Sequence, residues 1–336
     1  MFFSPSTEYW ITRFYFQRLL GFIYGIGFLI LVNQFIPLCG AKGLLPAQTL
    51  FRRLRFRDIP SLFWMNSSDR SLRVFAWIGL LFSGIAVTGI SDSFQVGFSI
   101  FVWTSLWVIY LSFVNIGRTF YGFGWETLLL ETGFLAIFLG PTQMPPSAIP
   151  IWLLRWVLFR LMFGAGLIKL RGDPCWKDLS CMQFHYETQP MPNPLSWYFH
   201  QFPRVIHRFS VLFTHFVEIL VPFGYFGPAP IRTAAGILTI AFQCLLILSG
   251  NLSWLNYITL VLSIVCFDDA FFKSILSLFS ITPPHWTSEL TPLPAWILFC
   301  LVGTISILSI RPILNLLSRN QMMNTSFESL HLVNTY

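Results

Sequence analysis

The sequence predicts an all-α polytopic transmembrane bundle of about eight or nine spans with one prominent extramembrane loop, and three observations predict it. Of 336 residues 55% are hydrophobic and only 10% charged, far below the ~25% charge of soluble domains. Too little polar surface exists to wrap a soluble core. The apolar residues, 37 Phe among them, fall in runs close to the ~20 residues that a spanning helix needs. One polar break, RGDPCWKDLSCMQFHYETQPMPNP at 171–194, gathers two cysteines, a histidine and four prolines.

Taken in order, the first span is 19–38. Arg13 and Arg18 precede it as in a signal peptide, but it is too long and no small-residue cleavage site follows, so it is a retained span. Segment 39–73 alternates Leu50, Phe51, Leu54 and Phe56 with Arg52, Arg53, Arg55 and Arg57, a pattern either for a helix lying on lipid headgroups or for a solvated loop. Pro37, Pro46 and Pro60 keep it from being one long helix. Spans 74–90 and 95–115 follow, then 127–140, the weakest because it is short and contains Glu131. Span 149–168 carries Arg155 and Arg160, loop 171–208 comes next, and spans 209–226, 231–249, 252–267 and 293–310 complete a bundle over 1–317. Tryptophans 64, 103, 107, 125, 152, 254, 286 and 296 fall mainly near span ends, where amphipathic rings suit the interface. The net charge of +7 comes from basic residues beside spans and in loops. That pattern implies membrane lipid as the partner and no nucleic acid.

Charges inside a bilayer cost ~2.5–3.5 kcal/mol each even on a lenient scale, so Glu131, Arg155, Arg160 and Glu218 should face the bundle interior and find partners. They form either a polar site or a structural lock between helices. His215 and Glu218 are three apart and share a helix face. Cys39, Cys244, Cys266 and Cys300 lie in or next to apolar runs and read as small buried hydrophobes. Cys175 and Cys181 alone share a polar loop. They bridge as a disulfide or join His185 and a fourth ligand, Asp173, Asp178 or His200, around zinc; the C-x5-C-x3-H spacing is wider than structural zinc sites use, so the bridge is expected and metal is not. The run 189–194, with Pro190, Pro192 and Pro194, is a stiff extended strap. With Trp176, Phe184, Tyr186, Trp197 and Tyr198 it has the composition of a protein-binding platform. G-x-S-x-G, H-E-x-x-H, P-loop and C-x-x-C motifs are all missing, and no cofactor is expected.

The residues FRLMFGAGLIKLRGDPCWKDLSCMQFHYETQPMPNPLSWYFH at 159–200 closely resemble the signature loop of the lipase maturation factor family. HFVEILVPF at 215–223, LILSGNLSWLNYITLVLSIVCFDD at 246–269 and NQFIPLCGAKGLLP at 33–46 resemble further blocks of that family, in order along nearly the whole chain. The resemblance implies a multi-pass protein of the endoplasmic reticulum membrane, or of the cytoplasmic membrane in a prokaryote. It implies a chaperone-like role in folding and assembly of secreted client proteins such as lipases. It marks Gly166, Lys169, Arg171, Gly172, Cys175, Trp176, Cys181, His185, Tyr186, Glu187, Thr188, Gln189, Pro190, Pro192 and Asn193 as signature positions, with Gly250, Asn251, Asp268 and Asp269. Lys169, Arg171, Trp176, His185, Tyr186, Glu187, Gln189, Pro190, Pro192, Asn193 and Trp197 are the expected client contacts, with Trp176, Tyr186 and Trp197 as hot spots. The family also looks distantly related to the vitamin K-dependent carboxylase, which supplies a rival: a membrane-embedded enzyme or redox protein using Glu131, Arg155, Arg160, His215 and Glu218.

If every candidate span crosses, 39–73 and the signature loop share a side. The arginines would make that side cytoplasmic, whereas the resemblance implies that the loop is lumenal. A helix lying at the interface over 47–57, or a segment 127–140 that does not cross, would remove the conflict. Finally, SFESLHLVNTY at 326–336 resembles the entry to the family's soluble, strand-rich domain. Residues 318–336 are expected to be a loosely held tail, with a second polypeptide supplying that domain if the chain is split.

Overall fold

The structure, a computed structural model, describes residues 7–92, 94–189, 191, 193–275 and 293–336. Helices dominate because, in lipid, backbone N–H and C=O groups can be satisfied only within the chain, and the helix does this inside one segment. Among the described residues seven helices are long and apolar enough to cross a membrane: α1 over Trp10–Cys39, α2 over Asp69–Thr88, α3 over Val96–Gly117 with a 3-10 turn to Phe120, α5 over Ala148–Arg171, α6 with its continuation over Arg204–Phe226, α7 over Ala229–Ser249 and α9 over Ala295–Leu317. The other two predicted spans are the short helices α4, Gly124–Ala136, and α8, Leu255–Ser263 with a 3-10 turn to Cys266. The estimate of eight or nine is met only by counting them.

Local chemistry sets the boundaries. Ser68 caps α2 by accepting from the Ser71 N–H at 3.3 Å, and Gly89, at φ +79°, ends it in the left-handed conformation that a Cβ would strain. Ser147 caps α5, and Pro228 and Pro230 open α7. In α6 the regular helix stops at His215, widens to a π-turn over Phe216–Leu220 and tightens to a 3-10 turn over Val221–Phe226 at Pro222. Val205, Phe209, Leu212, Phe216, Leu220 and Phe223 are exposed at helical spacing, a stripe facing lipid.

α1 packs mainly on α2, where Gly21 meets Ala86, Gly25 meets Ser83 and Gly79 lies against the Phe28 ring, the close approach that small residues allow in membranes. α4 spans only about 20 Å at ~1.5 Å per residue, yet 11 of its 13 residues are buried. A helix wrapped by other helices carries no lipid-facing stripe, which is why its sequence reads weakly. Its Gly133 lies against the Tyr24 phenol, leaving no room for a Cβ. Gly133→Ala is therefore expected to destabilise the bundle by about 1–3 kcal/mol through overpacking; an unchanged unfolding midpoint in detergent would contradict this contact.

The helices alternate between two ends. At one end Arg13 donates to the Leu139 and Met144 carbonyls at 3.1 and 2.6 Å, and Asp269 accepts from the Trp10 and Ile11 N–H groups. At the other, Asn115 at the close of α3 donates to the carbonyls of Pro60 and Ser329, and Ser329 donates to Arg57. Segment 40–68, the signature loop and residues 318–336 all lie at this second end. α4 runs from it to the first, so the idea that 127–140 does not cross fails, and the arginine-rich segment and the loop do share a side. Segment 40–68 also departs from a surface helix: its helix is one turn, Gln48–Phe51, and Leu50, Ile59 and Phe63 pin it to the bundle while Arg52, Arg53, Arg55 and Arg57 are exposed.

Residues 318–336 are not loose. Thr325–Ser326 and Asn334–Thr335 pair as an antiparallel hairpin, and Val333, Asn334, Thr335 and Tyr336 are buried against α4 and α5.

Candidate functional site

The signature loop starts where α5 stops. Lys169 and Arg171 occupy the last turn of α5; then Gly172 and Asp173-Pro174 end it, because a residue before proline is driven to extended backbone. Asp173 caps the following turn by accepting from the Cys175 N–H at 2.9 Å. Cys175 is joined to Cys181 by a disulfide, Cα atoms 4.6 Å apart. Behind it Cys181, Met182, Tyr186 and Val211 form a small core of their own. The far half of the loop is tied to α7. Gln189 donates to the Ser249 carbonyl at 2.9 Å, and Asn193 donates to the carbonyls of Ile247 at 3.1 Å and Gly250 at 2.7 Å. These carbonyls close a helix and lack partners within it. Losing those contacts in Asn193→Ala should cost about 1–3 kcal/mol locally, read as faster protease cleavage between 172 and 203; an unchanged rate would show that the loop is held elsewhere.

The expected contact residues divide. Gln189 and Asn193 are turned inward as caps, Tyr186 is buried, and Arg171 reaches back to Gln321 at 2.7 Å. Trp176 is half-buried, with Lys169 5.5 Å from its ring centre and its carbonyl 2.9 Å from His215 Nε2. Glu187 is exposed, 3.6 Å from His200. Of the three hot spots only Trp197 is exposed, at 64%; Tyr198 and Phe202 are exposed close after it in sequence, and Phe184 is exposed earlier in the loop. Pro190 and Pro192 lie outside the described residues. His185 is half-buried, and burial together with the nearby Lys169 charge lowers its pKa.

The intramembrane charges form two separate groups. Arg160 pairs with Glu131, and both are about 1% exposed. The second carboxylate oxygen of Glu131 accepts from Tyr336 Oη at 2.7 Å and from the Asn334 N–H and Nδ2, both at 3.0 Å; Arg160 donates to the Asn334 carbonyl at 2.6 Å. The hairpin thus occupies the second Glu131 oxygen, while Arg160 Nε is buried with no partner among the described residues. Arg155 is not part of it: its Nε donates to the Val265 carbonyl at 2.8 Å and its guanidinium faces the Tyr9 and Trp152 rings.

In the second group Glu218 pairs with Lys169, not with His215, which the π-turn leaves bonded to the loop. Gly166 permits this arrangement, since a Cβ there would meet Ile219 at 2.7 Å and Glu218 at 2.9 Å. π-turns are frequent at functional positions. Beside the pair lies a cavity of about 350 Å³ that reaches Lys169, His185, Glu218 and Gln243. Glu218 Oε2 and Gln243 Oε1 are buried with no hydrogen-bond partner among the described residues. Gln243 was missed by the sequence reading; a lone amide in an otherwise apolar run was the available signal.

Fold and placement of charge define an integral, multi-pass membrane protein. Residues 11–274 match the family described as the lipase maturation factor transmembrane domain, and the chain belongs to that family. It is 41% identical to lipase maturation factor 1 of Mus musculus and 39% identical to that of Homo sapiens, in each case across 98% of this chain and 63% of the relative. To lipase maturation factor 2 of Xenopus laevis it is 35% identical, across 79% of this chain and 40% of the relative. The chain therefore spans a little under two thirds of the length of the first group of relatives. No solved structure matches it.

Proposed function

We propose that the chain acts as a membrane-embedded maturation factor for secreted, lipase-like client proteins, and that it holds the client on the surface of loop 172–203. The names of the relatives supply the client class. The observation that carries the surface is the exposure of Trp197, Tyr198 and Phe202, with Phe184 earlier in the chain, on a loop fixed by a disulfide and by two caps into α7. Rigid aromatic side chains give large contact area at small entropic cost. Because the relatives are longer by more than a third of their own length, bringing the client to activity is proposed to need that remainder, in the same chain or as a second polypeptide. Capture needs only the loop.

A disulfide persists in oxidising compartments, so the loop end is assigned to the lumen in a eukaryotic cell's endoplasmic reticulum and to the outer face of a prokaryotic cytoplasmic membrane. The exposed arginines at 52–57 argue the other way. A membrane-impermeant thiol reagent applied to sealed vesicles decides between them. Cys175 and Cys181 should react only after reduction and only from the lumenal side; reaction without reduction, or only from the cytoplasmic side, refutes the assignment.

The rival reading, a bundle enzyme, is favoured by one observation, the unpartnered Glu218 oxygen beside a cavity. Glu131 offers it no free oxygen, since Arg160 and the hairpin occupy both. Loss of maturation in folded Glu218→Gln with client capture intact would favour the enzyme; loss of capture on changing the loop aromatics favours the scaffold.

A further inference from the structure

We propose that the cavity between α5, α6, α7 and α8 is a binding site for a neutral, hydroxyl-bearing, single-chain amphiphile of the monoacylglycerol class. The inference rests on the cavity and does not depend on the client reading. Most of the wall is apolar, with Leu161, Phe242, Leu246 and Leu255 along it, and about 350 Å³ is within the ~300–1,000 Å³ of small-molecule sites. A medium-length alkyl chain suits that wall.

The polar end selects the headgroup. Glu218 is 3% exposed and Gln243 4% exposed, and the free atom of each, Oε2 and Oε1, is a hydrogen-bond acceptor. A buried acceptor without a donor carries its full desolvation penalty, so the ligand must bring donors. Gln243 does not relieve Glu218: its Nε2 donates to Met162 Sδ, 3.4 Å away, and Glu218 Oε2 is without a partner among the described residues. Lys169 already neutralises Glu218. An ammonium group would bring a second cation next to Lys169, and a carboxylate would place acceptors against acceptors. A vicinal diol supplies two neutral donors and adds no charge.

The test uses the full chain in phosphatidylcholine nanodiscs with three diazirine probes on the same medium-length chain: a monoacylglycerol, a fatty acid and a fatty amine. The monoacylglycerol should label peptides of α5, α7 and α8 and be displaced by unlabelled monooctanoylglycerol. Glu218→Gln should lower that labelling about tenfold, the effect of one hydrogen bond to a charged acceptor. Ala165→Phe, which fills the cavity and leaves both residues of the ion pair in place, should abolish it, and it decides the matter should Glu218→Gln not fold. Absence of displaceable labelling, labelling unchanged in a folded variant, or equal or stronger labelling by the acid or the amine overturns the proposal.

Discussion

Arg160→Ala is expected to destabilise the folded bundle by about 3–5 kcal/mol, because it leaves the Glu131 carboxylate buried with its charge unpaired. Arg160 also carries the Asn334 carbonyl, so the same change should free the hairpin. Protection of the Cys266 thiol, fully buried in the native protein, measured across an SDS titration, reads the first effect; protease cleavage within 318–332 reads the second. Tyr336→Phe removes one bond to the carboxylate and should cost about 1.5–3 kcal/mol. Combining Glu131→Gln with Arg160→Met should recover most of the loss, since no bare charge remains. Undiminished Cys266 protection in Arg160→Ala would mean that the pair is not what joins α4, α5 and the hairpin.

Replacing Trp197 and Tyr198 together with alanine should weaken client capture by at least about 30-fold, the effect of losing one ~2 kcal/mol hot spot. Their rings lie 5.1 Å apart at right angles, and both face outward from the short helix Ser196–His200. Membrane insertion and the Cys175–Cys181 bond should be unaffected. Tyr186→Ala, by contrast, should act through the stability of the loop, because that ring is buried against His207 and Phe199. Capture unchanged in the double variant, measured by co-precipitation of a secreted lipase from microsomes, would remove the loop surface from the account.

What the sequence made legible follows from how each feature is encoded. Long helices facing lipid on one side must be continuous and apolar, and seven were readable for that reason. α4 is enclosed by protein and α8 mostly so, with Tyr257 exposed, so their lengths are set by neighbours and not by bilayer thickness. The need for partners at Glu131, Arg160 and Glu218 was readable from the cost of burying charge; which residues answer it was not. Asn334 and Tyr336 lie about 200 positions from Glu131 in the chain, and nothing local marks them. Lys169 was grouped with the loop because it is near its start, though the π-turn brings Glu218 to it. Gln189 and Asn193 stand in a proline strap that looks like contact surface, and only the position of the α7 end reveals them as caps. The disulfide pair was the simplest case, two cysteines six positions apart in one polar segment.

The most direct test of the central claim, that the loop face holds a folding client, is site-specific photocrosslinking. A benzoyl-phenylalanine placed at Trp197, with a second at the lipid-facing Ile307 of α9 as the reference, is introduced into the chain, which is then co-expressed with a secreted lipase in microsomes. A chain–lipase adduct is expected from position 197 that forms with newly made lipase, is lost when Cys175 and Cys181 are both serine, and is absent from position 307. Adducts from 307 equal to those from 197, or none from 197 while maturation proceeds, would contradict it.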